Sequence, residues 1–203
     1  MSLVLGAALG YLLGAIPFGL IIGRLTKGID LREYGSHRTG ATNALRTLGA
    51  PAAAAVFLLD VGKGVAAVLL ARLLFADDPM VEWAAAVAGV AAIVGHNWSV
   101  FIGFTGGRGV ATGAGAMVLL APLAVLAAIL EFAVVVGATR LVSLGSILGS
   151  ITVAMIAIVL VAIGWSGIEV AVAACAIAVI VVVAHADNIE RLRAGTERRF
   201  GSG

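Results

Sequence analysis

The sequence predicts an all-α integral membrane protein with about seven transmembrane helices, some short or broken, its N-terminus outside and its C-terminus cytoplasmic. Three observations lead there. Residues of the set AVILMFWYC make up 62% of the 203 and charged residues only 12%, and the mean hydropathy of +1.14 lies outside the range of a soluble globular domain. Apolar runs recur at about 3–23, 50–75, 81–95, 110–138, 143–163 and 167–184, and roughly 20 apolar residues cross a hydrocarbon core. The cations gather between those runs, as the positive-inside bias asks of cytoplasmic loops.

Taken in order, the first run lacks the positive leader of a cleaved signal, and its basic residues follow it, so it reads as an uncleaved first span. Six crossings would place the 96–109 loop and the tail from 185 on opposite sides. Yet Arg24, Lys27, Arg32, Arg38 and Arg46, then Arg108, then Arg191, Arg193, Arg198 and Arg199 belong in one compartment by charge. Pro122 resolves this by breaking the long 110–138 run into two helices, because proline lacks the donor and clashes with the preceding turn. Asp77, Asp78, Glu82 and Glu169 then face outward, and Arg72 is the one cation the scheme leaves unexplained. Segments 81–95 and 110–121 are shorter than a full span, and one of them is expected to be tilted, broken or re-entrant. Residues 1–200 read as a single membrane-embedded domain and 201–203, Gly-Ser-Gly, as an appended remnant. The lone Cys175 allows no intrachain disulfide.

Three polar islands interrupt the apolar sequence: "DLREYGSHRTGATNALRTLG" from Asp30, "GHNWSVFIGFTGGRGVATG" from Gly95, and "HADNIERLRAGTERRF" from His185. Each mixes hydroxyls, amides, small residues and cations, the residue types that bind phosphate oxygens. In the second, Gly106, Gly107 and Gly109 let backbone N–H groups approach a ligand. Arg108 adds charge, and a helix beginning near Val110 would present its positive end. That reads as an anion cradle, although neither a Walker A nor a dinucleotide fingerprint is present, and glycines that merely let helices pack closely are the competing explanation. In the first island Ser36, Thr39, Thr42, Asn43 and Arg46 lie beside a helix start, and capping is their alternative role. His185 and Asn188 share a helix face at i, i+3. His96 is either a helix-end residue or a ligand contact. Thr112 and Glu197 complete the candidate binding set.

Within the spans Asp60 and Lys63 are three apart, expected as a structural ion pair supporting the site, with a proton pathway as rival. Glu131 has no sequence-local partner. The three histidines are isolated and no carboxylate cluster completes a ligand set, so no metal and no cofactor are expected.

The motifs "IPFG", "GS..TGATNALRTLG", "LLDVGKG", "GH", "FTGGRGVATG" and "HADNIERLRAGTERRF", in this order and spacing, resemble the bacterial membrane acyl-phosphate:glycerol-3-phosphate acyltransferase family (PlsY type) over nearly the whole length. Two departures stand out. His37 and Arg38 replace a Gly/Asn pair usual in that family, and Arg108 replaces a lysine, keeping the charge as a planar fork. The resemblance implies seven helices in the bacterial inner membrane, with an active site facing the cytoplasm. It also implies transfer of a fatty acyl group from acyl phosphate to the 1-hydroxyl of sn-glycerol 3-phosphate, giving lysophosphatidic acid and phosphate at the entry to phospholipid synthesis. A soluble enzyme would supply the acyl phosphate, and no nucleic-acid partner is expected. By the same resemblance Ser36, Arg46, Arg108, Ser143, His185 and Asn188 fall at substrate-contacting positions.

An acyl phosphate is already activated, so positioning and charge stabilisation suffice without an enzyme nucleophile. Arg108, Ser36 and the N–H groups near Gly107 and Gly109 are expected to hold the acyl phosphate, and Arg46, His185 and Asn188 to orient glycerol 3-phosphate. Either the leaving phosphate or His185 takes the hydroxyl proton. A transporter or flippase for a phosphorylated solute is the alternative class. It fits less well because the polar islands cluster at one face, whereas transporter sites lie at the midplane.

Overall fold

The computed structural model describes residues 1–201 and is all-helical, with only an isolated bridge between Ser99 and Thr105 among the described residues. Ser202 and Gly203 of the expected terminal remnant lie outside the described residues. The helices are α1 (Ser2–Ala15), α2 (Phe18–Lys27), α3 (Ala41–Leu48), α4 (Ala50–Leu74), α5 (Val81–Asn97), α6 (Val110–Leu120), α7 (Pro122–Thr139), α8 (Val142–Ala162), α9 (Ile168–Ala184) and α10 (Ala186–Arg193). Four stretches are long and apolar enough to cross a membrane, with Ser2–Lys27 taken as one, and a fifth arises if α9 and α10 count together across their 60° bend. The chain divides into two compact units, Met1–Leu119 and the part from Leu120 on.

In the first unit, Gly6, Gly10 and Gly14 form a four-residue repeat along α1 that meets Ala84, Ala88 and Ala92 of α5 in the same order, so the two helices run parallel. A Cβ on Gly10 or Gly14 would fall on the facing backbone. Lipid offers helices no hydrophobic drive to associate, and close packing of small residues takes its place. Gly64 and Gly115 do the same where α4 crosses α6. The first turn of α6 therefore lies beside the middle of α4. A cluster of Ile22, Leu31, Ala44, Ala53 and Val56 packs α2 and α3 onto α4.

Two prolines break the apolar runs. Pro17 interrupts the first run between α1 and α2. Beside the break, Ser99 Oγ donates to Ala15 O at 2.5 Å and Lys63 Nζ to Ile16 O at 3.1 Å. Pro122 splits the 110–138 run where the sequence placed the break, standing in the first turn of α7 where its missing N–H costs nothing. Near the C-terminal end of α6, Arg72 donates to Leu119 O at 3.2 Å and pairs with Glu82 at 2.7 Å. That accounts for the cation the charge pattern left over: it ends a broken helix rather than marking a loop.

In the second unit α8 packs between α7 and α9, with Gly145 against Phe132 and Val136. Gly195, at φ 70°, closes the end of α10. Thr196 N–H then bonds Arg191 O at 2.9 Å and Gly195 N–H bonds Leu192 O at 3.2 Å, a glycine-terminated helix end that turns Glu197 back alongside α10.

Candidate active site

In the first unit the first and second polar islands are tied together. Arg32 pairs with Asp30 at 2.6 Å and donates to Ile102 O at 3.0 Å and Thr105 Oγ1 at 3.1 Å. The side-chain bond from Arg32 holds the Asp30 carboxyl below its ordinary range, against the opposing pull of burial. Thr39 N–H reaches Gly106 O at 3.4 Å.

Asn43 is the organiser of the first loop. Its Nδ2 lies 3.0, 3.0 and 2.8 Å from Leu31 O, Tyr34 O and Arg38 O, and its Oδ1 accepts Ser36 N–H at 3.0 Å. An amide has two N–H donors, so both are committed to the backbone, and Asn43 serves the site by shaping the Ser36 loop. Thr42 and Arg46 stand one turn apart on α3, with Arg46 exposed. His37 takes a left-handed φ of 56°, and its Nδ1 lies 2.9 Å from Arg32 O. A glycine would adopt that φ without strain.

The second loop lies on the end of α5. Gly107 N–H donates to His96 O at 3.1 Å. A Cβ on Gly106 would strike the His96 carbonyl, one on Gly107 would strike His96 Nε2, and Gly109 has φ +78° with Asn97 beside it. The glycines thus bring a loop backbone, with Arg108 half-buried in it, to the N-terminus of α6. There, three buried polar atoms make no hydrogen bond within the protein: Oδ1 and Nδ2 of Asn97 and Oγ1 of Thr112. Thr112 is fully buried and Asn97 is 2% exposed. Each such atom costs about 1–3 kcal/mol if left unsatisfied, and such a lining suits a polar ligand. His96 is placed behind the loop, with Nδ1 3.4 Å from Asp60 Oδ1.

In the second unit one carboxylate gathers the expected residues. Glu197 Oε1 accepts from Ser143 Oγ at 2.8 Å and Asn188 Nδ2 at 2.7 Å, and Oε2 from Arg191 Nε at 2.8 Å. Arg191 also reaches Asp187 at 3.1 Å. Burial raises the Glu197 pKa, but the bonds from Asn188, Arg191 and Ser143 outweigh it and hold the carboxyl below the usual glutamate range. A carboxylate only accepts, so it fixes the Asn188 amide with nitrogen inward. Asn188 Oδ1 is left buried without a protein partner, an acceptor suited to a hydroxyl. His185, 3% exposed, sits at the α9–α10 bend. Its Nδ1 lies 2.8 Å from Val181 O, and because a carbonyl only accepts, Nδ1 carries a proton.

Three contributors escaped the sequence reading. Asn97 lies inside the second island but carries no spacing signal of its own. Arg191 falls among Asp187, Glu190 and Arg193, charges that local ion pairs on a solvated helix would explain, because the Gly195 turn that returns Glu197 to it is a three-dimensional event. The link from Asp60 to His96 joins residues 36 positions apart (96 − 60), which no local spacing reveals.

These features define a class: a multi-pass helical membrane protein with a glycine-built loop at a helix N-terminus and a carboxylate-organised His/Asn cluster. The family model for glycerol-3-phosphate acyltransferase matches residues 4–195. The glycerol-3-phosphate acyltransferase of Thermoanaerobacter pseudethanolicus is 43% identical over 201 residues, covering 99% of this chain and 97% of that protein. That of a Synechococcus species is 46% identical over 201 residues, covering 99% and 96%. Crystal structures of PlsY (YgiH), an integral membrane glycerol 3-phosphate acyltransferase, superpose with TM-scores of 0.88 for its glycerol 3-phosphate form and 0.86 for its lysophosphatidic acid form. They are 37% and 36% identical and cover 100% of this chain and 97% of theirs. The chain belongs to the glycerol-3-phosphate acyltransferase family, of the PlsY kind.

Proposed function

We propose that the chain transfers a fatty acyl group from acyl phosphate to the 1-hydroxyl of sn-glycerol 3-phosphate. The products are 1-acylglycerol 3-phosphate and inorganic phosphate, in the first step of bacterial phospholipid synthesis. Family membership supports the acceptor and the acyl transfer. The observation that carries the choice of donor is the cradle of Gly106, Gly107, Arg108 and Gly109 at the start of α6, lined by Asn97 and Thr112, whose buried polar atoms lack protein partners. Backbone N–H groups, a helix N-terminus and a cation suit a phosphate leaving group.

In the reaction the acceptor hydroxyl attacks the acyl carbonyl, the carbon–oxygen bond of the mixed anhydride breaks, and the phosphate departs carrying the hydroxyl proton. Ser36, Arg108 and the loop N–H groups hold the donor phosphate and spread its developing charge. Arg46, His185 and Asn188 orient glycerol 3-phosphate, with Asn188 Oδ1 accepting from a hydroxyl. Ser143 and Glu197 hold Asn188 in place. Residues 1–200 act as one acyltransferase domain of about seven helices in the bacterial inner membrane, N-terminus outside and active site on the cytoplasmic face, supplied by a soluble enzyme that makes acyl phosphate.

The test uses purified protein in detergent with labelled glycerol 3-phosphate and either palmitoyl phosphate or palmitoyl-CoA. Lysophosphatidic acid from the phosphate donor alone is the expected result; product from the thioester alone, or from neither, sinks the reading. His185→Gln then assigns the base. Retention of a tenth or more of kcat fits proton transfer to phosphate, whereas loss of roughly 10²–10⁴-fold, the range of general-base catalysis, moves the proton to His185.

A further inference from the structure

The charges buried in the middle of α4 take no part in either cluster, yet they connect to the loop. Side chains of Asp60 and Lys63 are 2% and 3% exposed and pair at 2.9 Å. Lys63 continues to Ile16 O at 3.1 Å, beside the α1–α2 break, and lies 5.7 Å over the Phe18 ring. In the other direction Asp60 Oδ1 faces His96 Nδ1 at 3.4 Å. The far nitrogen of the same ring, Nε2, abuts Gly107 so closely that a Cβ there would overlap it. The His96 carbonyl meanwhile receives Gly107 N–H at 3.1 Å.

An ion pair at this depth is poor stability engineering, since well-packed apolar residues often serve as well or better. Holding the α1–α2 break requires Lys63 and a counter-ion, but it does not require that counter-ion to face a histidine backed against the loop. At 3.4 Å the approach of Asp60 to His96 is an electrostatic contact rather than a hydrogen bond, yet a carboxylate so close to Nδ1 favours one orientation of the imidazole, and a ring held in that way sets how far the Gly107 backbone can retreat. We propose that Asp60 and Lys63 are positioning residues for acyl transfer: acting through His96, they fix the Gly106–Gly109 loop in its phosphate-holding shape. This rests on the function proposed above, in which that loop holds a substrate phosphate.

The test compares wild type, Gly107→Ala, His96→Ala, Asp60→Asn/Lys63→Met and the triple variant that adds His96→Ala. It measures kcat, both substrate KM values and the thermal midpoint in detergent. The double variant leaves no uncompensated buried charge and keeps the lysine stem as methionine. It is expected to raise, by about tenfold or more, the KM of the same substrate that Gly107→Ala weakens, with kcat changed less than about threefold. The triple variant is expected to be no worse than His96→Ala, because both changes cut one chain. An unchanged KM, or losses that multiply in the triple variant, overturns the proposal. If the double variant does not fold, Gly107→Ala in the His96→Ala background decides: a cost well below that in wild type supports the ring as the loop's backstop, and an equal cost overturns it. Wild-type protein that makes no product from acyl phosphate would instead defeat the underlying function, an outcome distinct from active enzyme with indifferent variants.

Discussion

The two units build their polar clusters from opposite materials. In the first, the cluster is largely backbone: glycines at 106, 107 and 109 lie on the end of α5, and Arg108 supplies charge. In the second, side chains do the work, and a single carboxylate, Glu197, gathers Ser143, Asn188 and Arg191 at 2.7–2.8 Å. A surface made of backbone tolerates a change of cation but no added Cβ. A surface made of side chains around one carboxylate tolerates small steric changes but not the loss of that charge.

The sharpest way to break this contrast is at the loop. Arg108→Ala leaves phosphate charge uncompensated in a poorly hydrated place and is expected to lower kcat/KM by roughly 100-fold or more, the scale of a lost charge-assisted hydrogen bond of about 3 kcal/mol. Arg108→Lys keeps the charge and is expected to stay within about tenfold; equal small losses for both would show that the cradle is misplaced. Next comes Glu197→Gln, which swaps acceptor for donor on one side and removes the charged partner of Arg191 Nε, with an expected loss of about 30-fold in kcat/KM. The same carboxylate predicts a pH signature. Its folded pKa is depressed, so the stability it lends is full above the unfolded glutamate value and is lost as pH falls through the lower folded value. Thermal midpoints of wild type should therefore drop on acidification below the ordinary glutamate range, and Glu197→Gln should flatten that limb. Ser143→Ala removes one of three donors to Glu197 and should cost about 1 kcal/mol of stability with a severalfold loss of activity. Smallest is His37→Gly. The left-handed φ of 56° there strains a residue with a side chain by about 1–2 kcal/mol, partly offset by glycine's unfolded-state entropy. Equal or slightly higher stability is expected in a thermal scan.

How much of this was readable in advance follows the same division. The helical runs, the Pro122 break and the shortness of segments 81–95 and 110–121 were legible because hydropathy and proline act locally. So were the glycine loop and the pairing of Asp60 with Lys63, whose meaning lies in adjacent positions. What could not be read depends on returns of the chain. Glu197 reaches Asn188 only because Gly195 adopts φ 70°, and Arg72 makes sense only once Glu82 and Leu119 O stand beside it. Asn43 illustrates the middle case: its residue type suggested a ligand contact, while its donors turned out to bind Leu31, Tyr34 and Arg38 carbonyls.

The most direct test of the contrast is kcat/KM for acyl transfer in Arg108→Lys and Glu197→Gln, measured side by side on protein whose folding is checked by a thermal scan. The account predicts that the lysine variant keeps at least about a tenth of wild-type activity while the glutamine variant falls well below it. The reverse order, with the loop intolerant of lysine and the cluster indifferent to its carboxylate, would contradict it.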